Sequence, residues 1–218
     1  MTVINFDGSR PEMCGNGLRC VALYVAHRGG RPGEELDIDT DAGPKRCLCT
    51  GDEVRVDMGP ARILGRASPV ADQGREFVAI DMGNPHAVCL VDGHEDLEEL
   101  ARTRGPQIEL DPCYAPAKTN VEFARVDETG ARISLWVWER GVGITQACGT
   151  GACATAVAAV SEGLARADAD IEVQLPGGTL TIRVPSAPGA GVWMTGPARE
   201  VFSGTVSIPS FEGWADEA

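Results

Sequence analysis

Short segments in which apolar and polar residues alternate recur along the chain and predict antiparallel β-strands. Clusters of Gly and Pro, such as Ala42-Gly43-Pro44 and Pro176-Gly177-Gly178, separate some of them and indicate hairpin turns. The chain is therefore predicted to be mainly β. The segments centre on Leu36–Thr40, Cys47–Leu48, Glu53–Asp57, Asp170–Leu175, Thr179–Val184 and Val192–Thr195.

Helices are predicted where this alternation stops. The stretch Ala152–Leu164 is apolar nearly all round, which is typical of a helix enclosed by a sheet rather than lying on one. An Ala- and Val-rich stretch that ends near Gly29 predicts a second buried helix, and an acidic helix is predicted over residues 95–104.

Two pairs of matching motifs indicate an internal duplication. The run Cys14-Gly15-Asn16-Gly17 resembles Cys148-Gly149-Thr150-Gly151, which begins 134 positions later. The run Met58-Gly59-Pro60-Ala61-Arg62 is matched by Met194-Thr195-Gly196-Pro197-Ala198-Arg199, whose glycine lies 137 positions after Gly59. Two matches at nearly the same offset predict two similar halves, each with strands around one helix.

The two halves are unequal in front of the Cys-Gly motif. Only 13 residues precede Cys14, whereas Cys148 lies 88 positions after Pro60. The first half is therefore expected to lack up to about 75 residues of opening strands, and the edges of its sheet are expected to be exposed to pairing with other chains.

The charge balance argues against nucleic acid as a partner, and the lack of a long apolar run argues against a membrane. The 218 residues carry 19 basic and 32 acidic side chains, a net charge of −13, and no basic stripe that could neutralise phosphates. No apolar run approaches the roughly 20 residues that span a bilayer, and the first residues lack the pattern of a signal peptide. We expect a soluble, cytoplasmic protein.

The eight cysteines suit neither a disulfide framework nor a metal site. Their density is low, a cytosolic setting keeps thiols reduced, and no C-x-x-C spacing occurs. Six of them are predicted to pack as small apolar residues: Cys20, Cys47, Cys49, Cys89, Cys113 and Cys153.

Cys14 and Cys148 differ because each leads into a predicted helix through a glycine-rich motif. At a helix N-terminus the free N–H groups lower the pKa of a thiol and also bind carboxylates. Either motif alone could be a buried cysteine at a glycine turn. As a pair they predict a thiolate and a thiol that invert an α-carbon, one removing a proton while the other donates one to the opposite face. The two lysines, Lys45 and Lys118, lie outside both motifs, so no Schiff base is indicated.

With these motifs the chain resembles the diaminopimelate epimerase family over its whole length. The resemblance rests on residues 5–9 and 12–20, on Gly83-Asn84-Pro85-His86 and Thr119–Phe123, and on Glu139-Arg140-Gly141-Val142-Gly143 leading to residues 147–152. It implies an α+β fold of two pseudo-symmetric lobes, each a barrel-like sheet around a central helix, with the first lobe incomplete. It also implies interconversion of LL- and meso-2,6-diaminoheptanedioate without a cofactor or metal, for lysine and peptidoglycan synthesis.

The resemblance assigns roles to individual residues. Cys14 and Cys148 look like the acid/base pair, His86 and Glu139 are similar to residues that tune the cysteine pKa values, and Phe202 matches an aromatic contact of a homodimer. The residues similar to those that bind the amino-acid substrate are Asn5, Gly15, Asn16, Asn84, Asn120, Glu139, Arg140, Gly149 and Thr150. The lobes would comprise residues 1–60, completed by a strand near 200–208 in the segment 200–218, and residues 61–199.

Other interpretations of the same residues remain. Asn84 could be only a turn residue before Pro85, His86 a satisfied strand histidine, and Glu139 and Arg140 surface charges at a strand end. The function could instead be that of a related racemase or isomerase acting on another substrate, such as proline. It could also be that of a non-catalytic remnant.

Overall fold

The computed structural model describes residues 1–4, 8, 10, 13–30, 33–72 and 74–205. Within these residues lie three helices, α1 (Gly15–Gly29), α2 (Leu97–Glu109) and α3 (Gly149–Ser161). The strands are β1 (Glu35–Thr40), β2 (Gly43–Thr50), β3 (Glu53–Asp57), β4 (Arg62–Ala67), β5 (Phe77–Asp81), β6 (Pro85–Leu90), β7 (Asn120–Val126), β8 (Arg132–Glu139), β9 (Gly143–Ile144), β10 (Asp170–Leu175), β11 (Gly178–Arg183) and β12 (Trp193–Pro197).

All twelve strands belong to one mixed sheet in the order β1-β2-β3-β12-β11-β10-β8-β7-β6-β5-β4, with β9 paired to β8. Only β6–β7 and β8–β10 are parallel pairs. A parallel pair needs a long crossover, and α2 and α3 provide the two crossovers. The predicted α+β class is confirmed.

The sheet wraps around α3, which contacts strands β5 to β8 and β10 to β12. Gly149 and the run from Gly151 to Ala159 are buried, as the all-round apolar pattern predicted. The helix begins at Gly149, three residues earlier than predicted, and ends at Ser161 rather than Leu164. Among the described residues the sheet does not close, since β4 pairs only with β5 and β1 only with β2.

The duplication is visible in the order of elements. A helix and then three antiparallel strands follow each Cys-Gly motif, α1 with β1 to β3 and α3 with β10 to β12. The last strand of each set pairs with the other, Val56 opposite Met194 and Asp57 opposite Trp193. The two halves therefore share one continuous sheet, whereas separate sheets were expected.

Helix α2 lies on the other face of the second half, against β7, β8 and β9. Its N-terminus is capped by Asp96, whose carboxylate accepts from the N–H groups of Glu98 and Glu99. The predicted end at Arg104 is wrong, because the helix continues through Pro106 to Glu109. Burial of Ile108 and the hydrogen bonds of Glu109 to Trp138 and Gly141 outweigh the hydrogen bond that proline cannot make.

The proposed division into lobes stays a prediction. Residues 198–205 contain no strand, so the strand predicted near 200–208 is absent over its first six residues. Residues 206–218 lie outside the described residues.

In the described part of the chain no helix is long and apolar enough to cross a membrane.

The prediction that six cysteines pack as small apolar residues holds for four of them. Cys47, Cys49, Cys89 and Cys153 are buried, but Cys20 and Cys113 are exposed. Cys20 lies on the side of α1 opposite the buried Leu18, Ala22 and Ala26, which pack toward β1 to β3. Cys113 lies in the short 3-10 turn Pro112–Tyr114, no residue of which is buried.

Candidate active site

Cys14 and Cys148 occupy the same position at the starts of two helices. Each is an N-cap in extended conformation, with φ −130° and ψ 109° at Cys14 and φ −126° and ψ 107° at Cys148. Each Sγ accepts a hydrogen bond from the backbone N–H three residues on, Gly17 or Gly151, and both N–Sγ distances are 3.4 Å. The predicted placement of both sulfurs at helix N-termini is thus what the structure has.

The two helix N-termini meet at Gly15 and Gly149. A Cβ on Gly149 would lie 3.7 Å from the Cα of Gly15 and 3.0 Å from the Sδ of Met194. A Cβ on Gly15 would lie 3.1 Å from the Cε of Met194 and 3.4 Å from that of Met58. The buried side chains of Met58 and Met194, which begin the two matching motifs, therefore pack against the point where the helix starts approach each other.

A cleft of about 420 Å³ opens over this junction, within the size range of small-molecule sites. It brings together nearly all the predicted site residues from both halves of the chain. Asn5 lies outside the described residues, and His86 lies behind the cleft wall. The lining includes Cys14, Gly15, Asn16, Asn84, Asn120, Glu139, Arg140, Cys148, Gly149 and Thr150.

The environment of Cys148 contradicts one expectation. Burial raises the pKa of this thiol well above its ordinary value, and the carboxylates of Glu139 and Glu122 raise it further. The Gly151 N–H and the Thr150 hydroxyl act in the opposite direction but do not prevail. The lowered pKa expected from a helix N-terminus is therefore wrong for Cys148, because desolvation and nearby negative charge outweigh the helix end.

A chain of hydrogen bonds runs from a buried carboxyl group to the Cys148 sulfur. His86 Nδ1 lies 2.7 Å from Glu122 Oε1, and both side chains are fully buried. His86 Nε2 lies 3.0 Å from Asn84 Oδ1, and Asn84 Nδ2 donates to Thr150 Oγ1 at 3.3 Å. The Thr150 oxygen lies 3.7 Å from Cys148 Sγ. His86 is thus linked to Cys148 through two intermediate side chains.

The turn that carries Arg140 is held from two sides. Asn120 Oδ1 accepts from the Arg140 backbone N–H at 2.9 Å, and Asn120 Nδ2 donates to the Pro85 carbonyl at 2.9 Å. The carboxylate of Glu109, at the end of α2, accepts from Trp138 Nε1 at 2.8 Å and from the Gly141 N–H at 3.2 Å. Arg140 Nη1 donates to the Ala117 carbonyl. The Asn120 amide therefore fixes the turn as well as lining the cleft.

Asn16 and Glu139 have further contacts in the cleft. Asn16 Nδ2 donates to the Ala147 carbonyl at 3.4 Å, which ties α1 to the residue before Cys148. No donor of the described chain reaches Asn16 Oδ1. Glu139 accepts a hydrogen bond from the Thr145 hydroxyl, which fixes one carboxylate oxygen of Glu139.

Sequence reasoning missed Glu122, Glu109 and Lys45. Glu122 stands between Val121 and Phe123, and this apolar–polar–apolar alternation is typical of a solvent-facing strand position, so no local signal marked Glu122 as buried. Glu109 falls beyond the predicted end of α2. Lys45 lines the cleft and donates to the Met58 carbonyl at 3.1 Å, although it lies outside both Cys-Gly motifs. No group of three or more His, Cys, Asp or Glu side chains in the described residues is arranged to hold a metal ion.

Comparison with known proteins places this geometry in one family. The diaminopimelate epimerase family model matches residues 1–64 and 78–201. The chain is 48% identical to a diaminopimelate epimerase of Desulforudis audaxviator and 43% identical to one of Desulfitobacterium hafniense, in each case over 94% of this chain and 77% of the relative.

A solved structure shares the fold at lower identity. A hydroxyproline epimerase from Agrobacterium vitis superposes with a TM-score of 0.66 at 18% identity, covering 90% of this chain and 66% of that one. This likeness concerns architecture alone. The family match over most of the chain and the identity to the relatives are decisive: the chain belongs to the diaminopimelate epimerase family.

Proposed function

We propose that this chain interconverts LL- and meso-2,6-diaminoheptanedioate by a two-base mechanism that uses only its own side chains. The observation that carries the proposal is the pair of cysteine N-caps, Cys14 and Cys148, which share one backbone geometry and line one cleft. The names of the relatives supply the substrate. Inversion of one of its two α-carbons turns the LL form into the meso form.

In the proposed reaction Cys14 acts as the thiolate and Cys148 as the thiol. Burial and two carboxylates raise the pKa of Cys148, which favours its protonated form. Cys14 removes the α-proton from one face and becomes a thiol. Cys148 gives its proton to the other face and becomes a thiolate, and exchange with solvent restores the starting state. The reverse reaction exchanges the two roles.

The carbanion formed between these steps needs strong electrostatic stabilisation. Two helix N-termini meet at Gly15 and Gly149, and their free N–H groups suit the α-carboxylate beside the reacting carbon. Burial of the surrounding groups makes these interactions stronger than they would be in water. The absence of side chains at Gly15 and Gly149 lets the substrate approach the backbone.

The rest of the substrate-binding proposal concerns the polar rim of the cleft. Asn16 Oδ1 is available to accept from an ammonium group, and Asn84 and Thr150 can contact the reacting end. Arg140 and Asn120 suit the distal carboxylate, and Glu139 the distal ammonium. Asn5 would add a contact by the resemblance alone.

Assembly and location form part of the same proposal. Val201 and Phe202 are 86% and 85% exposed, which is unusual for adjacent large apolar side chains. We place them in the contact of a homodimer. A cytoplasmic location suits free catalytic cysteines, because that compartment keeps thiols reduced.

The function is tested by incubating the protein with LL-diaminopimelate under reductant and separating the stereoisomers. The expected product is the meso isomer, approached from both directions to the same equilibrium. L-proline and trans-4-hydroxyproline serve as matched substrates, and neither should be inverted. Inversion of proline in place of diaminopimelate would assign the chain to the other activity.

A further inference from the structure

We propose that Glu122 is a positioning residue for this epimerisation, which acts through His86 and Asn84 to orient the Thr150 hydroxyl toward the Cys148 sulfur. The proposal rests on the proposed function for its effect on turnover. The predicted effect on the pKa of Cys148 does not depend on that function.

The first support is the position of Glu122 beneath the start of α3. A Cβ built on Gly151 would lie 2.9 Å from Glu122 Oε1 and 3.2 Å from Cys148 Sγ. The carboxylate oxygen and the sulfur thus both lie against the same backbone position. The Gly151 N–H donates to that sulfur, so Glu122 lies beside the helix turn that holds Cys148.

The second support is the direction of the hydrogen bonds. Asn84 Nδ2 donates to Thr150, so Asn84 Oδ1 faces His86, and this oxygen can only accept. His86 Nε2 must therefore carry a hydrogen. The 2.7 Å contact between His86 Nδ1 and Glu122 then requires a second proton between ring and carboxyl. The Glu122–His86 pair holds this proton, and it fixes the ring that orients Asn84.

The third support is the cost of such a buried group. A carboxyl with no exposed surface is destabilising unless it is paired, and here a single histidine pairs it. An apolar side chain would fill the same space in the strand at lower cost. The retained carboxyl is explained if it serves the hydrogen-bond chain that ends at Cys148.

The charged and titratable groups around this chain define how it should respond to pH. Burial raises the pKa of Glu122, His86 opposes this rise, and Glu139 adds to it. Glu139 and Glu122 are the carboxylates that raise the pKa of Cys148. Tyr114 also has a raised pKa, chiefly through burial, to which Glu122 contributes. The Glu122–His86 pair is neutral overall because the shared proton balances the carboxylate charge, so replacing Glu122 with leucine removes hydrogen bonds and no net charge. The Thr150 hydroxyl lowers the pKa of Cys148, so losing the orientation of this hydroxyl should raise that pKa.

The first experiment needs no substrate. The rate of alkylation of Cys148 is followed against pH by peptide mass spectrometry in the wild type, Glu122→Leu and Glu128→Leu. Glu128 is an exposed glutamate just beyond the same strand and serves as the matched control. The expected result is a midpoint at higher pH in E122L alone. Looser packing would raise the rate at every pH without moving the midpoint, and an unmoved or lower midpoint in folded E122L would overturn the proposal.

The second experiment measures kcat in a double-mutant cycle. E122L should lower kcat about tenfold or more, the equivalent of one buried hydrogen bond to a charged group. Adding E122L to His86→Gln should cost nothing further, because Glu122 acts through that ring. Losses that multiply independently would contradict the proposal.

A variant that fails to fold does not end the test. If E122L loses its cooperative thermal transition, H86Q carries the test, and an unchanged kcat in H86Q would overturn the proposal. Histidine ¹⁵N spectra add a direct readout of the hydrogen on His86 Nε2. The chain has three histidines, and His27 and His94 are exposed, so the signal of the buried His86 can be distinguished. If the wild type turns over no diaminopimelate, the proposed function fails while the alkylation midpoint still decides the role of Glu122.

Discussion

At the scale of single residues, two cysteines with the same backbone geometry have different surroundings. Cys148 is buried beside two carboxylates, whereas Cys14 is only half-buried. The pseudo-symmetry therefore applies to the main chain and not to the environment of the sulfurs. This difference assigns the thiol role to Cys148 in the proposed direction of reaction.

Replacing either sulfur should abolish inversion. Cys14→Ala and Cys148→Ala each remove one of the two proton carriers, so kcat is expected to fall by about a thousandfold or more. The matched controls are Cys20→Ala and Cys153→Ala, one in each of the same two helices, which should keep activity. Turnover that survives in C14A or C148A would rule out two-base chemistry.

Motif spacing predicted the cysteine placement, but the charges around Cys148 could not be predicted in the same way. The glycines after each cysteine fix a local geometry that neighbouring residues determine. Glu122 and Glu139 reach Cys148 from other strands, so their effect depends on strand order and burial. A glutamate between Val121 and Phe123 has no local feature that distinguishes a buried position from a surface one.

At the scale of elements, the turn after β8 links α2 to the cleft. Glu109 binds Trp138 and Gly141 on either side of Glu139 and Arg140. Lys118 Nζ lies 3.6 Å from the same carboxylate. The end of α2 thus positions two residues proposed to bind the distal end of the substrate.

Glu109→Gln should weaken substrate binding more than chemistry. An amide can keep only one of the two hydrogen bonds that Glu109 accepts without leaving a mismatched donor, so the turn should loosen. We expect KM to rise several-fold with kcat changed less than twofold, as measured by steady-state kinetics. The exposed Glu99→Gln, on the same helix, is the control. A fall in kcat at constant KM would contradict this positioning role.

Gly105→Ala should destabilise the fold although alanine favours helix. A Cβ at Gly105 would lie 2.5 Å from the Cβ of Trp138, and neither atom can rotate away. The expected loss is about 1–3 kcal/mol in the free energy of unfolding, measured by urea denaturation. At Gly17 the nearest atom to a Cβ would be 3.6 Å away, so Gly17→Ala should be neutral or slightly stabilising. Equal changes in the free energy of unfolding of the two variants would show that helix propensity outweighs packing.

The same contact explains why α2 was predicted too short. Gly105 and Pro106 normally end a helix, which matches the predicted end at Arg104. The helix continues because the glycine lets Trp138 approach, because Ile108 is buried beyond it, and because Glu109 makes hydrogen bonds to Trp138 and Gly141. Packing across the sheet outweighs the local preference.

At the scale of the whole molecule, one curved sheet joins both repeats. The alternating segments predicted β1 to β3 and β10 to β12 but not β4 to β9, and the strand order depends on the pairing of β3 with β12, whose residues are far apart in the chain. The sheet also buries several thiols. Burial raises the pKa of Cys47, Cys89 and Cys153 to about 12 in each case.

These thiols should make the fold sensitive to alkali. A raised pKa means that folding favours the protonated thiol, so there is no cost below the ordinary value of 9.0. Stability should fall as pH rises from there toward 12, because the unfolded chain releases these protons first. Urea denaturation under reductant between about pH 8 and 10.5 should show this loss, with a smaller slope in C153A. Equal slopes in both proteins would contradict it.

The central claim, that two groups on opposite faces exchange the α-proton, is tested most directly by epimerisation in D2O. LL-diaminopimelate is followed by NMR at low conversion under reductant. The account predicts that the meso product carries deuterium at the inverted carbon while the remaining LL substrate keeps its proton. Product that retains the substrate proton would mean that one group acts on both faces and would contradict the account.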